Sequence, residues 1–387
     1  MDAQGRFTIL HLCEHFGGRE ATLHGVARAF QWWLPNYDAT RFRVLLCSRK
    51  GWDKAAEQMK AAGTPPFTLG YGKMDPRNLV ALIRLARRER VDLIHAHGYG
   101  ACTWGRIAGI LLRIPVIVHE RCNYHSVPLY QRPVEWLLAP FTRHAFAVSE
   151  STRQFCIAKR YLKPERVETL YNGILLTDIP EATPEWKAAL RAEYGVGADQ
   201  PLLGIVGRIE SHKGHLDALR ALKALRQSHP DVRLWIVGDG AYEPEVRRFV
   251  DQNGLGDAVH FLGFRRDVRQ VIQCFDVQVF PSHQEGTPNT LYEAMLAGIP
   301  PVASTADGQG EILEHEKTAL LFEPGDHVTL ARHLARLLND APLRARLAAA
   351  VRVKINAYDG RHCIRKMEET YSRLLGGGST AGQHNPS

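Results

Sequence analysis

Short apolar and β-branched runs alternate with longer amphipathic segments along the first half of this chain. Five runs predict buried parallel strands, because they are apolar on both faces and bounded by polar residues. They span residues 7–13, 42–48, 91–97, 115–120 and 144–149. The segments between them, such as 75–90, carry apolar residues at helical spacing. Strands that alternate with helices in this way predict a doubly wound α/β sheet.

The alternation stops at residues 172–201 and then restarts. The interruption is rich in Pro, Gly and Ala, and it predicts a linker with one short helix. Six more strand-like runs follow it, at residues 202–207, 233–240, 258–264, 277–282, 300–305 and 319–326. A helical region over 328–375 then precedes a Gly- and Ser-rich tail that we expect to be disordered. The second half therefore predicts another Rossmann-like sheet.

A length of 387 residues suits two domains with separate cores. We place a Rossmann-like N-terminal domain at residues 1–180, a second one at 181–359 and the disordered tail at 376–387. Ligands of open α/β sheets bind outside the carboxyl ends of the strands. Two such domains that face each other would hold a substrate in the cleft between them.

Charge is distributed unevenly along the chain. The net charge is +8, and residues 1–180 carry 25 Lys and Arg against 15 Asp and Glu, whereas the remainder carries 24 against 26. A basic half can face nucleic acid, an anionic membrane surface or an acidic substrate, or it can be an ordinary soluble surface.

Two further features of composition bear on location. No apolar run approaches the roughly 20 residues that span a bilayer, and the start of the chain lacks the blocks of a secretory signal, so we expect a cytoplasmic protein. The seven cysteines are scattered and form no Cys-x-x-Cys pair. We therefore expect reduced thiols packed as small apolar groups.

The stretch EGTPNTLYE, from Glu285 to Glu293, places two carboxylates across a predicted helix start. We expect Thr287 as the N-cap, Pro288 at the first helical position and Gly298 as the end of the helix. Loop reach and helical rise separate the two carboxylates by more than the approximately 5 Å of a retaining-glycosidase pair. A pair acting on one glycosidic bond is therefore not predicted.

An anion site is predicted between those carboxylates instead. Backbone amides and the helix dipole near Asn289 and Thr290 favour a phosphate there. A molecule with sugar, diphosphate and ribose in that order would satisfy both Glu285 and Glu293. The alternative is a solvated loop charge and an ordinary helix residue.

A second group of residues lies in GIVGRIESHKGH, residues 204–215. Arg208 and Lys213 follow a predicted strand and a glycine, so two cations lie at the carboxyl end of that strand. Arginine can bind a diphosphate bidentately and lysine adds a compact charge. Alone, such a loop is usually solvated, but an anion-binding helix start on the same sheet favours a diphosphate site.

Together these motifs resemble the C-terminal domain of family 4 retaining glycosyltransferases of the GT-B fold. The motifs are Gly207-Arg208-x4-Lys213-Gly214 and Glu285-Gly-x-Pro-Asn-x-Leu-x-Glu293-Ala-Met. Most of the chain follows the family's order, with Gly17, Gly18, DLIHAH, VIVHE, AVSE, YNGI, LWIVGDG, FLGF, VFPS and GQGEI. The resemblance implies two Rossmann-like domains facing a cleft, the first binding the acceptor and the second the nucleotide sugar. It also implies that a helix at about 360–375 packs back on the first domain.

The resemblance implies a role for each matching residue. Arg208 and Lys213 would hold the diphosphate, and Glu285 would contact hydroxyls of the donor sugar. Glu293 would accept from the ribose hydroxyls. Other implied contacts are the amides near Asn289, Thr290 and Leu291 for the distal phosphate, Gly17 and Gly18 for backbone approach to phosphate, His119 for the reacting sugar, and Phe264 as a neighbour of the base.

The charges of these residues suit a diphosphate leaving group. Cleavage of a sugar–phosphate bond builds negative charge that fixed cations and amides stabilise. The chain contains no Asp-x-Asp, so a metal held by that motif is not indicated and Arg208 with Lys213 would replace it. The resemblance implies retention, with the departing phosphate taking the acceptor's proton. His95 and His97 are only weak metal candidates, because no third ligand is near them in sequence.

Some positions depart from the family pattern. Leu175 stands after Asn172-Gly173-Ile174 where the family often has Asp, and REATLHG after the glycine pair is not the commoner acidic version. Acceptor contacts from that loop are therefore in doubt.

Two aromatic stretches in the basic half bear on the acceptor. One contains Phe30, Trp32 and Trp33, and the other contains Trp136, Leu137, Leu138 and Phe141 beside arginines. Aromatic residues next to basic ones suit a contact with an anionic membrane surface, although core packing explains them about as well.

The sequence therefore predicts a retaining, metal-independent glycosyltransferase without a cofactor. It would move a sugar from a UDP- or GDP-sugar to a saccharide or lipid-linked acceptor in cell-surface polysaccharide or lipopolysaccharide assembly, on the inner face of the membrane. One alternative is a nucleotide-sugar epimerase of the same fold. Another is a basic nucleic-acid-binding protein, although the chain contains no recognised nucleic-acid module and we expect no such partner.

Overall fold

The computed structural model describes residues 1–17, 25–73, 75–121, 123, 127–177 and 180–376. The chain forms two compact units: the first unit is Met1–Tyr171 with the segment from Gly360 onward, and the second unit is Asn172–Asp359. The division therefore lies before the predicted boundary at residues 180 and 181. Gly18 and residues 377–387, most of the predicted disordered tail, lie outside the described residues.

The first unit is built on a seven-stranded sheet in the order β3-β2-β1-β4-β5-β6-β7 with parallel pairing. The strands are β1 Phe7–Cys13, β2 Phe42–Ser48, β3 Phe67–Thr68, β4 Leu93–His97, β5 Val116–Glu120, β6 Thr142–Ala147 and β7 Val167–Thr169. The helices are α1 Gly25–Asn36, α2 Lys54–Ala61, α3 Arg77–Arg88, α4 Tyr99–Leu112, α5 Arg132–Leu138 and α6 Glu150–Lys159. All five predicted strands are present, and the short edge strands β3 and β7 were not predicted.

The second unit is built on a six-stranded sheet in the order β10-β9-β8-β11-β12-β13, again with parallel pairing. The strands are β8 Leu202–Val206, β9 Arg233–Val237, β10 Val259–Gly263, β11 Val277–Phe280, β12 Pro301–Ser304 and β13 Leu320–Phe322. The helices are α7 Pro184–Glu193, α8 His215–Leu225, α9 Glu243–Gln252, α10 Val268–Ile272, α11 Asn289–Ala297, α12 Asp307–Ile312, α13 His327–Asn339 and α14 Ala341–Lys354.

The segment predicted as a linker is an integral part of the second unit. Its helix α7 is tied down where the Arg191 guanidinium donates to the Cys274 carbonyl at 2.9 Å. The backbone amide of Ala182 donates to the Gln273 side chain at 3.1 Å. Pro and Gly in this stretch therefore mark turns within a domain and not a mobile connection.

Both sheets reverse their strand order next to their first strand. In each sheet the chain first adds strands on one side of that strand and then crosses to the other side. This reversal leaves a crevice at the carboxyl edge of the sheet. The crevice lies between β1 and β4 in the first sheet and between β8 and β11 in the second. Ligands of doubly wound folds bind at this switch point. The predicted cation loop follows β8 and the predicted anion-binding helix follows β11, so both reach the same crevice.

The last helix, α15 Gly360–Gly376, belongs to the first unit. Its apolar face, which includes Met367 and Tyr371, is fully buried in a core cluster with α1 and the central strands. The six described cysteines are unpaired and buried, while Cys122 lies outside the described residues. Among the helices that the structure describes, none has the length and apolar character needed to cross a bilayer.

Candidate functional site

Glycine conformation fixes the loop that follows β8. Gly214 has φ of 71°, and a Cβ at this position would overlap the carbonyl oxygen of Pro281, the residue directly after β11. Only glycine combines that backbone conformation with so close an approach. The loop from Gly207 to Gly214 is therefore held against the end of β11, as a phosphate site at the switch point requires.

This packing brings together two predicted site residues that are distant in sequence. The Lys213 ammonium forms an ion pair with the Glu285 carboxylate, and the two side chains are only 19% and 15% exposed. Arg208 lies on the same loop with its side chain 56% exposed and its guanidinium 3.6 Å from Glu210. The second unit thus presents a half-buried Lys–Glu pair beside an accessible arginine.

The backbone of Glu285 is held by a residue that sequence reasoning missed. Its amide donates to the Asp307 carboxylate at 3.0 Å, and its carbonyl accepts from the Gly308 amide at 3.4 Å. Asp307 has a positive φ of 43°, which is uncommon for a residue other than glycine and is best tolerated by Asp or Asn. The GQGEI motif that begins at Gly308 was the available signal for this contact.

Helix α11 begins at Asn289 with Pro288 in the N-cap position and no side-chain cap. The prediction that Thr287 caps this helix was therefore wrong. The Thr287 hydroxyl instead accepts from the side-chain amide of Asn172 at 3.1 Å. Because that contact fixes the approach to the helix, Asn172 is a second supporting residue that the sequence did not reveal.

The start of α11 is tied to its own first turn and to the end of β8. The Leu291 amide donates to the Pro288 carbonyl at 3.0 Å. The Thr290 hydroxyl contacts the Val206 carbonyl at 3.3 Å. Gly298 ends the helix as predicted, and the roles of Asn289, Thr290 and Leu291 toward a phosphate stay predictions.

Glu293 lies deeper in the same helix. It is buried, and its carboxylate accepts from the Arg269 guanidinium at 3.3 Å. Phe264 follows β10 and is exposed. The roles expected for these two residues, with ribose and base, stay predictions.

The site residues expected in the first unit are more buried than those of the β8 loop in the second unit. Gly17 is buried and its carbonyl accepts from His15 Nδ1 at 2.9 Å, while its neighbour Gly18 lies outside the described residues. His119 is completely buried at the end of β5. Phe30 and Trp33 belong to a core cluster of this unit, so core packing, one of the two interpretations left open by the sequence, is the one that applies to both.

His119 is one of five buried histidines on one face of the first sheet; the fifth, His144 on β6, pairs in register with Ile117. His11 pairs in register with His95, and His97 with His119. Ring nitrogens of His11, His95 and His97 lie within 4.8 Å of one another. The statement that His95 and His97 lack a third potential ligand was therefore wrong, because β1 supplies one.

Burial keeps these imidazoles neutral. It lowers the pKa of His11 to about 3, helped by the positive charge of Arg121. Burial likewise lowers the pKa of His95, His97 and His119 well below the usual value. Each ring therefore carries one N–H donor and one acceptor nitrogen near neutral pH.

Models of two protein families match successive parts of the chain. The model of Glycosyltransferase Family 4 matches residues 22–177, and the model of Glycosyl transferases group 1 matches residues 187–354. Together they span most of both units.

The relatives that the chain resembles are glycosyltransferases by name. The chain is 25% identical over 345 residues to an Escherichia coli UDP-Gal:alpha-D-GlcNAc-diphosphoundecaprenol alpha-1,3-galactosyltransferase, covering 86% of this chain and 89% of that protein. It is 28% identical to a 2-deoxystreptamine glucosyltransferase of Streptomyces kanamyceticus, covering 77% and 81%. Among solved structures, Anabaena Alr3699/HepE in complex with UDP and glucose superposes with a TM-score of 0.83 at 23% identity, covering 95% of this chain and all of that one. The fold is therefore that of GT-B glycosyltransferases.

Proposed function

This chain belongs to the glycosyltransferases of group 1 and family 4, and we propose that it transfers a sugar from a nucleoside-diphosphate donor with retention and without a bound metal. The observation that carries the proposal is the Lys213–Glu285 pair at the switch point of the second sheet. This pair supports the proposal because a cation and a hydroxyl acceptor side by side suit the junction between the diphosphate and the sugar of a donor.

The donor's diphosphate lies between the β8 loop and the start of α11. Lys213 and Arg208 supply positive charge from one side, and the amides of Asn289 and Thr290 supply N–H donors from the other. Negative charge grows on the diphosphate as the sugar leaves, so these fixed groups stabilise the transition state more than the ground state.

Glu285 exchanges partners when the donor binds. In the structure its carboxylate is paired with Lys213. A donor phosphate competes for the lysine, and the sugar hydroxyls then satisfy the carboxylate. Asp307 and Gly308 hold the Glu285 backbone during this exchange. Glu293 lies further along α11 and receives the ribose.

Two observations support the absence of a metal, and retention is what the resemblance to family 4 implies. The chain has no Asp-x-Asp, and the Glu285 carboxylate is paired with Lys213. Arg208 and Lys213 therefore take the part of a divalent ion in neutralising the diphosphate. The departing phosphate receives the acceptor's proton on the same face of the sugar.

The acceptor is a saccharide or lipid-linked saccharide bound by the first unit at a membrane surface. The 3₁₀ turns and helix around α5 expose large apolar side chains, namely Leu129, Tyr130, Trp136, Leu137 and Phe141. Exposed Arg132 and Arg143 lie among them. Apolar and basic groups together suit an anionic lipid surface. The name of the Escherichia coli relative also specifies a diphosphoundecaprenol acceptor.

A panel of UDP- and GDP-sugars tests the proposal through acceptor-dependent release of the nucleoside diphosphate. We expect Glu285→Gln and Lys213→Met each to lower kcat by roughly 100-fold or more while the protein stays folded, because each removes a group that acts on the transition state. Matched changes at the exposed pair Glu316 and Arg336 should leave turnover unchanged. EDTA should not reduce the rate. Near-normal activity of either site variant would refute the site assignment.

A further inference from the structure

Four of the buried histidines of the first unit, all but His144, form a connected group that is larger than the single role proposed for His119 requires. His11 lies on β1, His95 and His97 on β4 and His119 on β5. The face that carries them packs against α1 and α15. A tyrosine of α15, Tyr371, reaches into the group with no exposed surface. Buried polar groups in such number need mutual hydrogen bonds.

Their hydrogen bonds form a line through six side chains, with one branch. The contacts of the line are Arg121 Nη2 to His97 Nδ1 at 3.4 Å, His97 Nε2 to His11 Nδ1 at 2.8 Å, His11 Nε2 to Tyr371 Oη at 3.2 Å, Tyr371 Oη to His95 Nδ1 at 2.6 Å, and His95 Nε2 to His119 Nδ1 at 3.2 Å. Tyr37 is the branch: its hydroxyl lies 3.4 Å from His11 Nε2 and 3.3 Å from the Tyr371 hydroxyl, and it makes no contact with His95 among those described.

The direction of the hydrogen bonds follows from the first member of the line and from the short contact at Tyr371. A guanidinium only donates, so His97 Nδ1 must accept and its Nε2 must carry the proton. A neutral imidazole has one donor and one acceptor, so His11 accepts at Nδ1 and donates from Nε2 to Tyr371. The Tyr371 hydroxyl has two acceptors within reach, Tyr37 Oη at 3.3 Å and His95 Nδ1 at 2.6 Å, and the shorter contact makes His95 the acceptor, so His95 donates from Nε2. His119 therefore accepts at Nδ1 and carries its proton on Nε2.

A metal ion is the competing interpretation of this cluster. Three of the rings have nitrogens within 4.8 Å of one another. However, zinc needs each ligand nitrogen about 2.0–2.1 Å from the ion, with the lone pairs directed at it. The rings of His95 and His97 instead stack face to face, with centroids 4.5 Å apart and an angle of 21° between their planes. Both nitrogens of His95 are already hydrogen-bonded, and the Arg121 cation lies next to His97. The geometry therefore favours a hydrogen-bonded line over a chelate.

The last nitrogen of the line has no partner within the described chain. His119 Nε2 is buried and makes no hydrogen bond to any described residue. A buried donor that stays unsatisfied is costly, and an oxygen atom of a ligand would satisfy it.

We infer that His97, His11, Tyr371 and His95 are positioning residues that hold His119 Nε2–H as a donor to an oxygen of the sugar substrate. The inference rests on the proposed function for the identity of that oxygen. It also gives α15 a part in the reaction, because this helix supplies the only hydroxyl that connects His11 to His95 among the described contacts.

Side-chain ¹⁵N NMR of histidine-labelled protein tests the tautomer without any assay, with His119 assigned from the spectrum of His119→Gln. We expect a single Nε2–H tautomer for His119 in the wild type. Tyr371→Phe removes the donor to His95, so His95 and His119 should become mixtures of both tautomers. Tyr37→Phe is the matched control, because it removes a hydroxyl that contacts His11 and Tyr371 but leaves the donor to His95 in place.

Kinetics with the best donor then test the consequence. Tyr371→Phe should lower kcat about tenfold, the equivalent of one neutral hydrogen bond, with KM for the donor little changed. Tyr37→Phe should keep wild-type kcat. A glutamine at position 119 donates through its amide whatever its neighbours do. Tyr371→Phe should therefore cause no further loss in the His119→Gln background.

Several results would overturn the inference. These are mixed tautomers of His119 in the wild type, an unchanged tautomer in Tyr371→Phe, or stoichiometric Zn²⁺ binding that is lost in His97→Gln. Absence of sugar transfer with every donor would refute the proposed function instead, and the NMR result would still decide whether the line of hydrogen bonds exists.

Discussion

Arg160 is a buried charge whose partners are buried with it. Its guanidinium forms ion pairs with Glu120 and Glu135, and all three side chains are at most 1% exposed. Loss of one member of a buried network leaves charges that nothing compensates.

We therefore expect Arg160→Gln to lower the free energy of unfolding by about 3–5 kcal/mol. Equilibrium unfolding in urea measures the change. Arg88→Gln is the matched control, because Arg88 pairs with Glu89 while its own side chain is 64% exposed. That variant should change stability by about 1 kcal/mol or less. Equal effects of the two variants would contradict this account.

The histidine cluster predicts a specific response to acid. The folded state depresses the pKa values of these rings, that of His11 to about 3, whereas an unfolded histidine titrates near 6.5. The unfolded state therefore binds more protons below pH 6.5, and stability falls as the pH falls. For each ring that stays neutral in the folded state, the free energy of unfolding falls by about 1.4 kcal/mol for each pH unit below pH 6.5.

Hydrogen exchange at pH 7 and pH 5 measures this response. Amides of β1, β4 and β5 should lose protection at pH 5 before those of β8 and β11, strands that contain no histidine. Uniform loss of protection across both units would show that the cluster does not control acid stability.

The sequence indicated the charged residues of the candidate site but not the contacts that support them. Lys213 and Glu285 were expected at one site, and their side chains form an ion pair, while their roles toward a donor stay predictions. The contact of Asp307 with the Glu285 backbone was not expected, because a long-range backbone contact leaves no periodic signal. The same limit applies to His11, whose partners on β4 become neighbours only through strand order.

At the scale of elements, the loop after β8 depends on one glycine. Gly214 and Gly254 both have positive φ, of 71° and 62°, but only Gly214 lacks space for a Cβ. Gly254→Ala should cost about 1–2 kcal/mol of stability for the left-handed backbone and leave kcat unchanged. Gly214→Ala should cost more and also raise KM for the donor, because the loop must move away from Pro281. Thermal unfolding and donor kinetics of the two variants separate the effects, and equal KM values would contradict the proposed loop geometry.

Strands within longer apolar runs were predicted, and two short edge strands were not. The central strands of each sheet are mainly apolar, apart from the buried histidines of β1, β4 and β5, so their sequences were sufficient. Strands β3 and β7 are two and three residues long and leave too little pattern. The three-residue β13 was predicted within the run 319–326. The cap of α11 was misplaced by one residue, because Thr287 is a good cap by type but bonds to Asn172.

For the whole molecule, the proposed division of roles between the two units rests on side chains, because both units repeat one architecture. Both sheets have the switch-point order, but the second unit carries the cations and the helix start. The first unit carries the excess positive charge and the exposed apolar residues around α5. The strand order alone therefore does not distinguish the two roles, and the side chains at the edges do.

Binding to lipid vesicles tests the proposed membrane-facing role of the first unit. Trp136 and Leu137 are 64% and 59% exposed, and Arg132 lies on the same short helix. We expect co-sedimentation with vesicles that contain anionic lipid, weaker at high salt because the basic residues contribute part of the affinity.

Trp136→Ser with Leu137→Ser should reduce this binding at least tenfold, because two large apolar groups no longer enter the interface. Val328→Ser with Val353→Ser is the control, since these side chains are equally exposed but lie on the second unit. The control should bind vesicles like the wild type, and both double variants should keep their activity on a soluble saccharide acceptor. Equal vesicle binding by the wild type and the Trp136–Leu137 variant would contradict the proposed membrane contact. The proposal would then lose its reason to place the acceptor at a membrane, because no other part of it requires a membrane.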